Sequence, residues 1–451
     1  MTIGDCTYGV AALEQVLPDC GKLLKSPGEG SCFFARRDTP RWIVANSLGA
    51  EVLSLCNGRR SLHQIAKLIH KRYNCSLAEA RRDVLSFWSE IEASQFLAEP
   101  SPPSKQPSER ALEFPQLYVT TRCNQSCPHC AVRGAFPEED MPAELFLDVV
   151  RQSAALGASR VVITGGEPFV RDDLLGLIAA AAGSLPVKLL TNGTLLGKRE
   201  ARELARLGVE VQVSLDGGTR EVHDAIRGKG AFEAAVESIR MLRDFGVTEL
   251  SVNFTIQRAN ASDVSALLHL AEREGVRKVS LMPLIPGAEG DRRFQCADSD
   301  SMLTAKRQAD AYDGPVAAEV LVSGIGRDAL SGQPWCVPGR SPAVGPDGSV
   351  YPCAGLVRTP FLAGKLPQET LEEALRRKSL EDLRRVCQER VDTISECASC
   401  VWKHFCRSGC PAFAYHQQGT LLAKDCFCEI RKRLYSDLFL GGQDDAGGFT
   451  E

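Results

Sequence analysis

The chain has 451 residues, 44% hydrophobic and 24% charged, with a formal net charge of −4. That length holds two or three domains with real cores, and the charge balance speaks against a general nucleic-acid binder. No apolar run reaches the length of a membrane span, and the N-terminus shows neither the basic segment nor the apolar stretch of a secretory signal. Eighteen cysteines without export point to metal ligation rather than disulfides, and to a reducing cytosol.

Residues 31–35 (Ser-Cys-Phe-Phe-Ala) and 41–45 (Arg-Trp-Ile-Val-Ala) predict two short strands joined across Asp38-Thr39-Pro40. Three helical patterns follow. Ser47 starts the first, with Leu48, Val52, Leu53 and Leu55 apolar, and Asn57-Gly58 stops it. Ser61 caps the second, with Leu62, Ile65, Ala66 and Ile69 on one face. Ser76 caps the third, with Leu77, Ala80, Val84, Phe87, Trp88 and Ile91 at helical spacing. This is a small winged-helix pattern, a shape that can bind DNA, but the third helix is short of basic residues after Arg82. The run from Ile43 through Asn57-Gly58 to Ala66 resembles the RiPP recognition element, the leader-peptide-binding fold of pyrroloquinoline-quinone biosynthesis, over about residues 20–97. The resemblance implies that residues 1–99 bind the leader of a ribosomally made precursor peptide. That leader would add as a strand beside the third helix, held by backbone hydrogen bonds. Cys6, Cys20, Cys32, Cys56 and Cys75 lack metal-like spacing and read as small packing residues. The proline-rich stretch that follows predicts a linker over 100–110.

Over 111–312 apolar β-type runs alternate with helical segments six times. Strands are expected near 117–120, 160–164, 187–191, 209–215, 250–256 and 279–283. The helices between them include 143–156, 173–182, 200–207, 231–245 and 261–274. Such alternation demands parallel strands with crossover helices: an α/β fold, a partial (β/α)6 barrel with its function at the C-terminal strand ends. After the first strand stand Cys123, Cys127 and Cys130 at a C-x3-C-x2-C spacing. A four-iron cluster has four corners, so three thiolates on one loop leave an iron free to bind something else. Zinc or buried free cysteines are the bland alternatives. After the second strand comes Thr164-Gly165-Gly166-Glu167-Pro168, where two glycines let the backbone approach a ligand and a carboxylate follows. The third strand ends in Asn192-Gly193 and the fourth in Ser214-Leu215-Asp216-Gly217. Turn chemistry alone would also account for Asn192 and Asp216. His129 reads as packing beside the cysteines.

At these residues the chain resembles the radical S-adenosylmethionine (SAM) enzymes. The resemblance implies that Cys123, Cys127 and Cys130 hold the catalytic cluster, with SAM chelated to the open iron through its amino and carboxylate groups. The turn Gly165, Gly166, Glu167 and Pro168 would hold the methionine amino group. Asn192, Ser214 and Arg227 would make further SAM contacts.

Over 313–438 a second array runs Cys336, Gly348, Cys353, then Cys397, Cys400, Cys406 and Cys410 at C-x2-C-x5-C-x3-C, with Cys426 and Cys428 beyond. It resembles the SPASM domain, which holds two auxiliary iron–sulfur clusters and so implies three four-iron clusters in all. Carried over, Cys336, Cys353 and Cys410 ligate the first auxiliary cluster. Cys397, Cys400, Cys406 and either Cys428, favoured on spacing, or Cys426 ligate the second. A zinc ribbon is the alternative for 397–410. Relatives with a closed first cluster often carry an extra cysteine between the positions of Cys336 and Gly348. This chain has none, so that cluster keeps an open iron or borrows Cys426. Sulfatase-maturating relatives have an aspartate base where this chain has Ala354, which disfavours formylglycine formation. Cys296 and Cys387 stay unassigned, and the tail at 439–451 is expected to be disordered.

Together these resemblances imply a maturase that modifies a precursor peptide through a 5′-deoxyadenosyl radical, making a thioether, a carbon–carbon cross-link or an oxidised residue. A flavodoxin or ferredoxin would supply electrons. A SPASM enzyme of tetrapyrrole biosynthesis and a non-catalytic iron–sulfur scaffold are the competing readings.

Overall fold

The computed structural model describes residues 13–98, 112–284, 298–321 and 336–440, apart from 22, 29, 37, 40 and 358. Cys6, Cys296 and the linker expected at 100–110 lie outside the described residues, as does the expected tail from 441 onward. Residues 439 and 440 do not belong to that tail, because they end the helix Cys428–Leu440. Two compact units emerge. One joins 1–104 to 395–407 and 431–451, and the other joins 105–394 to 408–430. The stretch 313–438, expected as one domain, is divided between them.

In the first unit β1 (Leu24–Pro27), β2 (Ser31–Ala35) and β3 (Trp42–Asn46) form an antiparallel sheet in that order. Strand β1 escaped the sequence reading because it is four residues long and ends in proline. Three helices follow, Ser47–Leu55, Leu62–Tyr73 and Leu77–Ala93. The first starts at Ser47, as expected, and Asn46 caps it, its side chain accepting from Gly49 N at 2.8 Å. Ser61 and Ser76 each close a capping box, with Gln64 and Glu79, where the sequence places them. Alternation sends neighbouring phenylalanines of β2 to opposite faces. Phe34 joins the helices' core with Val52, Ile65, Val84 and Trp88. Phe33 packs on the other face against Trp402 at 4.5 Å, and Trp42 against Phe439 at 4.7 Å. The first hundred residues are therefore not a free-standing module, because late segments of the chain cover one face of their sheet.

In the second unit six parallel strands run in chain order: β4 (Gln116–Tyr118), β5 (Val161–Thr164), β6 (Val187–Thr191), β7 (Glu210–Ser214), β8 (Leu250–Ile256) and β9 (Lys278–Pro283). Each lies within three residues of its expected bounds, and crossover helices separate the strands. Among the described residues the sheet has ten strands, however. Strand β10 (Ala317–Val320) adds in parallel beside β9. On the opposite edge β11 (Ala343–Val344) pairs in parallel with β4 and continues antiparallel into β12 (Ser349–Tyr351) and β13 (Gly364–Lys365). Strands β10 to β13 are two to four residues long and stand outside the regular strand–helix alternation, so the sequence reading did not include them.

Candidate active site

The cysteine loop follows β4, and its backbone is laced to the loop after β5. Gly166 N donates to Thr120 O at 2.8 Å and Glu167 N to Arg122 O at 2.9 Å. Here the two glycines acquire a reason beyond the sequence reading. A Cβ on Gly166 would sit 2.1 Å from Arg122 O, and one on Gly165, at φ +151°, 2.4 Å from Thr120 O. They let the cysteine loop approach, and both also line the cavity beside it. Arg171 reinforces the junction, donating through Nη1 to Val119 O (2.8 Å) and Met141 O (2.6 Å).

Glu167 lies beneath this junction, fully buried and outside the cavity wall. Thr191 Oγ1 donates to its Oε1 at 2.7 Å, Phe169 N to the same oxygen at 3.1 Å, and Asn192 N to Oε2 at 2.7 Å. Burial raises its carboxyl above the ordinary range, opposed by those three donors. Glu167 thus ties the end of β6 to the turn after β5. Pro168, the next residue, starts a short 3-10 turn. Asn192, so positioned, donates through Nδ2 to Asn124 Oδ1 (3.0 Å) and lies 3.9 Å from Cys123 Sγ.

Asp216 is no simple turn residue. It is fully buried and accepts from Arg227 Nε at 2.6 Å and Thr255 N at 2.7 Å, and His129 Nε2 lies 3.3 Å away. Burial alone would raise its carboxyl, but Arg227, His129 and the Thr255 N–H outweigh that and hold it far below the usual range. Asp216 N donates to His223 Nδ1 at 3.1 Å, and burial depresses this histidine to about 4. Arg227 comes from Arg220–Arg227, a helix that the sequence reading did not separate.

These strand ends enclose a cavity of about 270 Å³ lined by Cys123, Cys127, Cys130, Gly165, Gly166, Asn192, Ser214 and Arg227. Among the wall residues that went unread in the sequence are Asn253 and Thr255 on β8, Met282 on β9, and His129 as more than packing. A signal existed for the first two, which with Ser251 alternate with apolar residues along β8 and so share one face. His129 Nδ1 and Asn253 Oδ1 are buried without a hydrogen-bond partner among the described residues. Such groups cost about 1–3 kcal/mol each unless a ligand satisfies them. Burial raises the thiols of Cys123 and Cys127, the latter to about 11, so their thiolates need a cation in place of the proton. Three convergent thiols and a polar wall with unmet hydrogen bonds fit a cluster with a polar ligand beside it.

Of the second array, Cys336, Cys353 and Cys410 come together in the barrel-containing unit. Burial pushes Cys353 and Cys410 up to about 12, and the thiolate charges of neighbouring cysteines add to the effect. Cys410 N donates to Asp425 Oδ2 at 2.7 Å. Cys397, Cys400 and Cys406 belong to the unit of the N-terminal sheet, whereas Cys426 and Cys428 belong with the barrel.

Three family models match the chain: the Radical SAM superfamily over residues 117–271, coenzyme PQQ synthesis protein D over 36–97, and an iron–sulfur cluster-binding domain, SPASM, over 336–401. Mycofactocin maturase MftC of Mycolicibacterium smegmatis is 32% identical over 333 residues, 70% of this chain and 82% of that protein. The AdoMet-dependent heme synthase of Methanosarcina barkeri is 28% identical over 349 residues, 69% and 95% of the two chains. Among solved structures, Streptococcus suis SuiB superposes with a TM-score of 0.57 at 14% identity, covering 90% of this chain and 97% of its own. Native anSMEcpe with bound AdoMet reaches 0.62 at 18%, covering 73% and 98%. A parallel barrel that gathers three cysteines beside a glycine-rich turn defines a radical SAM enzyme, with SAM and four-iron clusters as its cofactors. The chain belongs to that superfamily, in the SPASM-containing group that includes the mycofactocin maturases.

Proposed function

We propose that this enzyme modifies a ribosomally made precursor peptide, with the leader bound on residues 1–99 and the core peptide presented to the barrel mouth. The observation that carries the reading is a PqqD-type segment in one chain with a radical SAM barrel and a SPASM array. Among the described residues β3 pairs only with β2, so its outer edge offers backbone groups to an added strand. Trp42 and Val44 on β3 are partly exposed and suit side-chain pockets. One relative is a mycofactocin maturase, and SuiB is known in a structure bound to its precursor peptide SuiA.

Cys123, Cys127 and Cys130 would hold the catalytic cluster, with SAM in the adjoining cavity. When both are bound they would supply one-electron radical chemistry directed at the peptide. The protein's share is positional. Gly165 and Gly166 keep the turn on the cysteine loop, and Glu167 orients Asn192 from beneath. Asp216 fixes His129 and Arg227, while Ser214, Asn253 and the unpartnered His129 Nδ1 present polar atoms to the ligand. Cys336, Cys353 and Cys410 would bind an auxiliary cluster. Ala354 cannot act as a base, so formylglycine formation is set aside. The reductant is a flavodoxin- or ferredoxin-type donor, and eighteen cysteines suit a reducing cytosol. The heme synthase relatives favour tetrapyrrole chemistry instead, a substrate with no leader for residues 36–97 to bind.

The test is anaerobic turnover of the reconstituted full chain with a reductant, SAM and a short peptide encoded beside it. Deoxyadenosine release that rises with peptide, together with a mass change confined to the peptide's core, is expected. Release that rises with a tetrapyrrole and not with peptide would overturn the reading.

A further inference from the structure

The thiols of Cys336, Cys353 and Cys410 leave a four-iron cluster one corner short, and positions 337–352 hold no cysteine to fill it. The helix Lys378–Thr393 brings one from elsewhere. Its residues Arg384, Cys387 and Arg390 stand three apart and so share one face. Arg384, one turn before Cys387, donates through Nε to Pro338 O at 2.8 Å, which pins the helix to the loop of Cys336. The fit there is close, since a Cβ on Gly339 would meet Arg384 Nη2 at 2.8 Å. Arg390, one turn after, is fully buried and donates to Gly409 O (2.9 Å), Ser408 O (3.3 Å) and Ala423 O (2.7 Å), gripping the loop of Cys410. Cys387 therefore sits between two arginines that lock its helix to both ligand loops, and its thiol lies close enough to that of Cys336 for the two to interact.

We propose that Cys387 is the fourth protein ligand of the auxiliary cluster held by Cys336, Cys353 and Cys410. This rests on reading those three cysteines as cluster ligands. It replaces the two arrangements that the sequence left open, an open iron or a ligand borrowed from Cys426. With four thiolates in place the cluster is coordinatively closed, so a substrate sulfur finds no iron to bind there. The cluster's role is then electron transfer, its potential tuned by the surrounding protein.

The experiment compares the reconstituted full chain with its Cys387→Ala and Cys387→Ser variants, using Cys75→Ser as a control. Iron, sulfide and the electron paramagnetic resonance spectrum of the dithionite-reduced protein are measured with and without imidazole. The parent and Cys75→Ser should hold about twelve irons, with auxiliary signals that ignore imidazole, whereas the open iron of the Cys123 loop can take imidazole up in every variant alike. Cys387→Ala should lose one to four irons, or keep them and show an auxiliary signal that shifts with imidazole as the vacated corner takes it up. The signal assigned to the Cys123 loop should be unaltered. Should the alanine variant fail to fold, Cys387→Ser decides, with a shifted auxiliary signal at unchanged helical content expected. Variants matching the parent in iron and in an auxiliary signal indifferent to imidazole overturn the assignment of Cys387 alone. A parent with only about four irons overturns the auxiliary-cluster reading beneath it.

Discussion

Cys123, Cys127 and Cys130 share one loop, and Cys336, Cys353 and Cys410 are scattered over three segments. Both sets form half-buried or exposed thiols within the same compact unit, yet they are held in different ways. The first loop is fastened by backbone hydrogen bonds to the next strand end, with glycines where side chains would collide. The second set is fastened by arginine side chains that reach across to carbonyl oxygens. A site fastened by backbone tolerates little change at its glycines. A site fastened by side chains can lose its clamp and leave the rest of the fold in place. The predictions below test that contrast.

The largest effect belongs to the barrel cysteines. Changing Cys123, Cys127 or Cys130 to Ala should reduce both deoxyadenosine release and peptide modification to background. A folded Cys353→Ala or Cys410→Ala should keep some deoxyadenosine release while losing product. Equal losses in the two sets would erase the distinction between catalytic and auxiliary sites.

Next is Gly166→Ala. Its Cβ would fall 2.1 Å from a backbone oxygen that cannot move without breaking the lacing, so a loss of about 3 kcal/mol or more is expected. At Gly355, beside Cys353, the nearest group is the Ala412 side chain at 3.0 Å, and Gly355→Ala should cost about 1 kcal/mol. Denaturant melts of both variants make the comparison, and a tolerated Gly166→Ala would show that the two loops can part.

Arg390→Leu should cost about 3 kcal/mol, because it leaves buried carbonyls without their donor. Iron analysis should find the auxiliary content reduced and the cluster of the Cys123 loop retained. Loss of all iron together would mean that the two sites do not fail separately.

The smallest effect is a pH dependence confined to the barrel. His223 titrates at about 4 when folded, against about 6.5 for an unperturbed histidine. Between those values the unfolded chain binds a proton that the folded chain refuses, so stability falls as pH drops from about 6.5 toward 4. The full span is worth about 3 kcal/mol. Melting temperatures measured from pH 7 to pH 5 should fall in the parent and fall less in His223→Gln, whose side-chain oxygen can still accept from Asp216 N. Identical slopes would place the titration elsewhere.

The N-terminal sheet marks a limit on what spacing reveals. Alternation in β2 predicts that Phe33 and Phe34 face opposite ways, and they do. Nothing in residues 1–99 says that Phe33 is covered by Trp402, Phe405 and Phe439, more than 350 residues later. The same holds for Asp216. Its sequence context suits a turn, and only burial against His129 and Arg227 makes it the anchor of the cavity wall.

What the sequence by itself determined is whatever a short window encodes. That includes the six parallel strands, the capping boxes at Ser61 and Ser76, the C-x3-C-x2-C loop and the glycine pair one strand later. Strand and helix periods repeat within ten or so residues, and a loop of known spacing can present thiolates to one cluster wherever it is placed. The tertiary structure alone decided which distant groups meet: Cys387 beside Cys336, Arg390 across the Cys410 loop, and the two- to four-residue strands that extend the sheet. Those pairings depend on which helix face turns inward and which loop it meets. The chain states that choice only through packing summed over the whole unit.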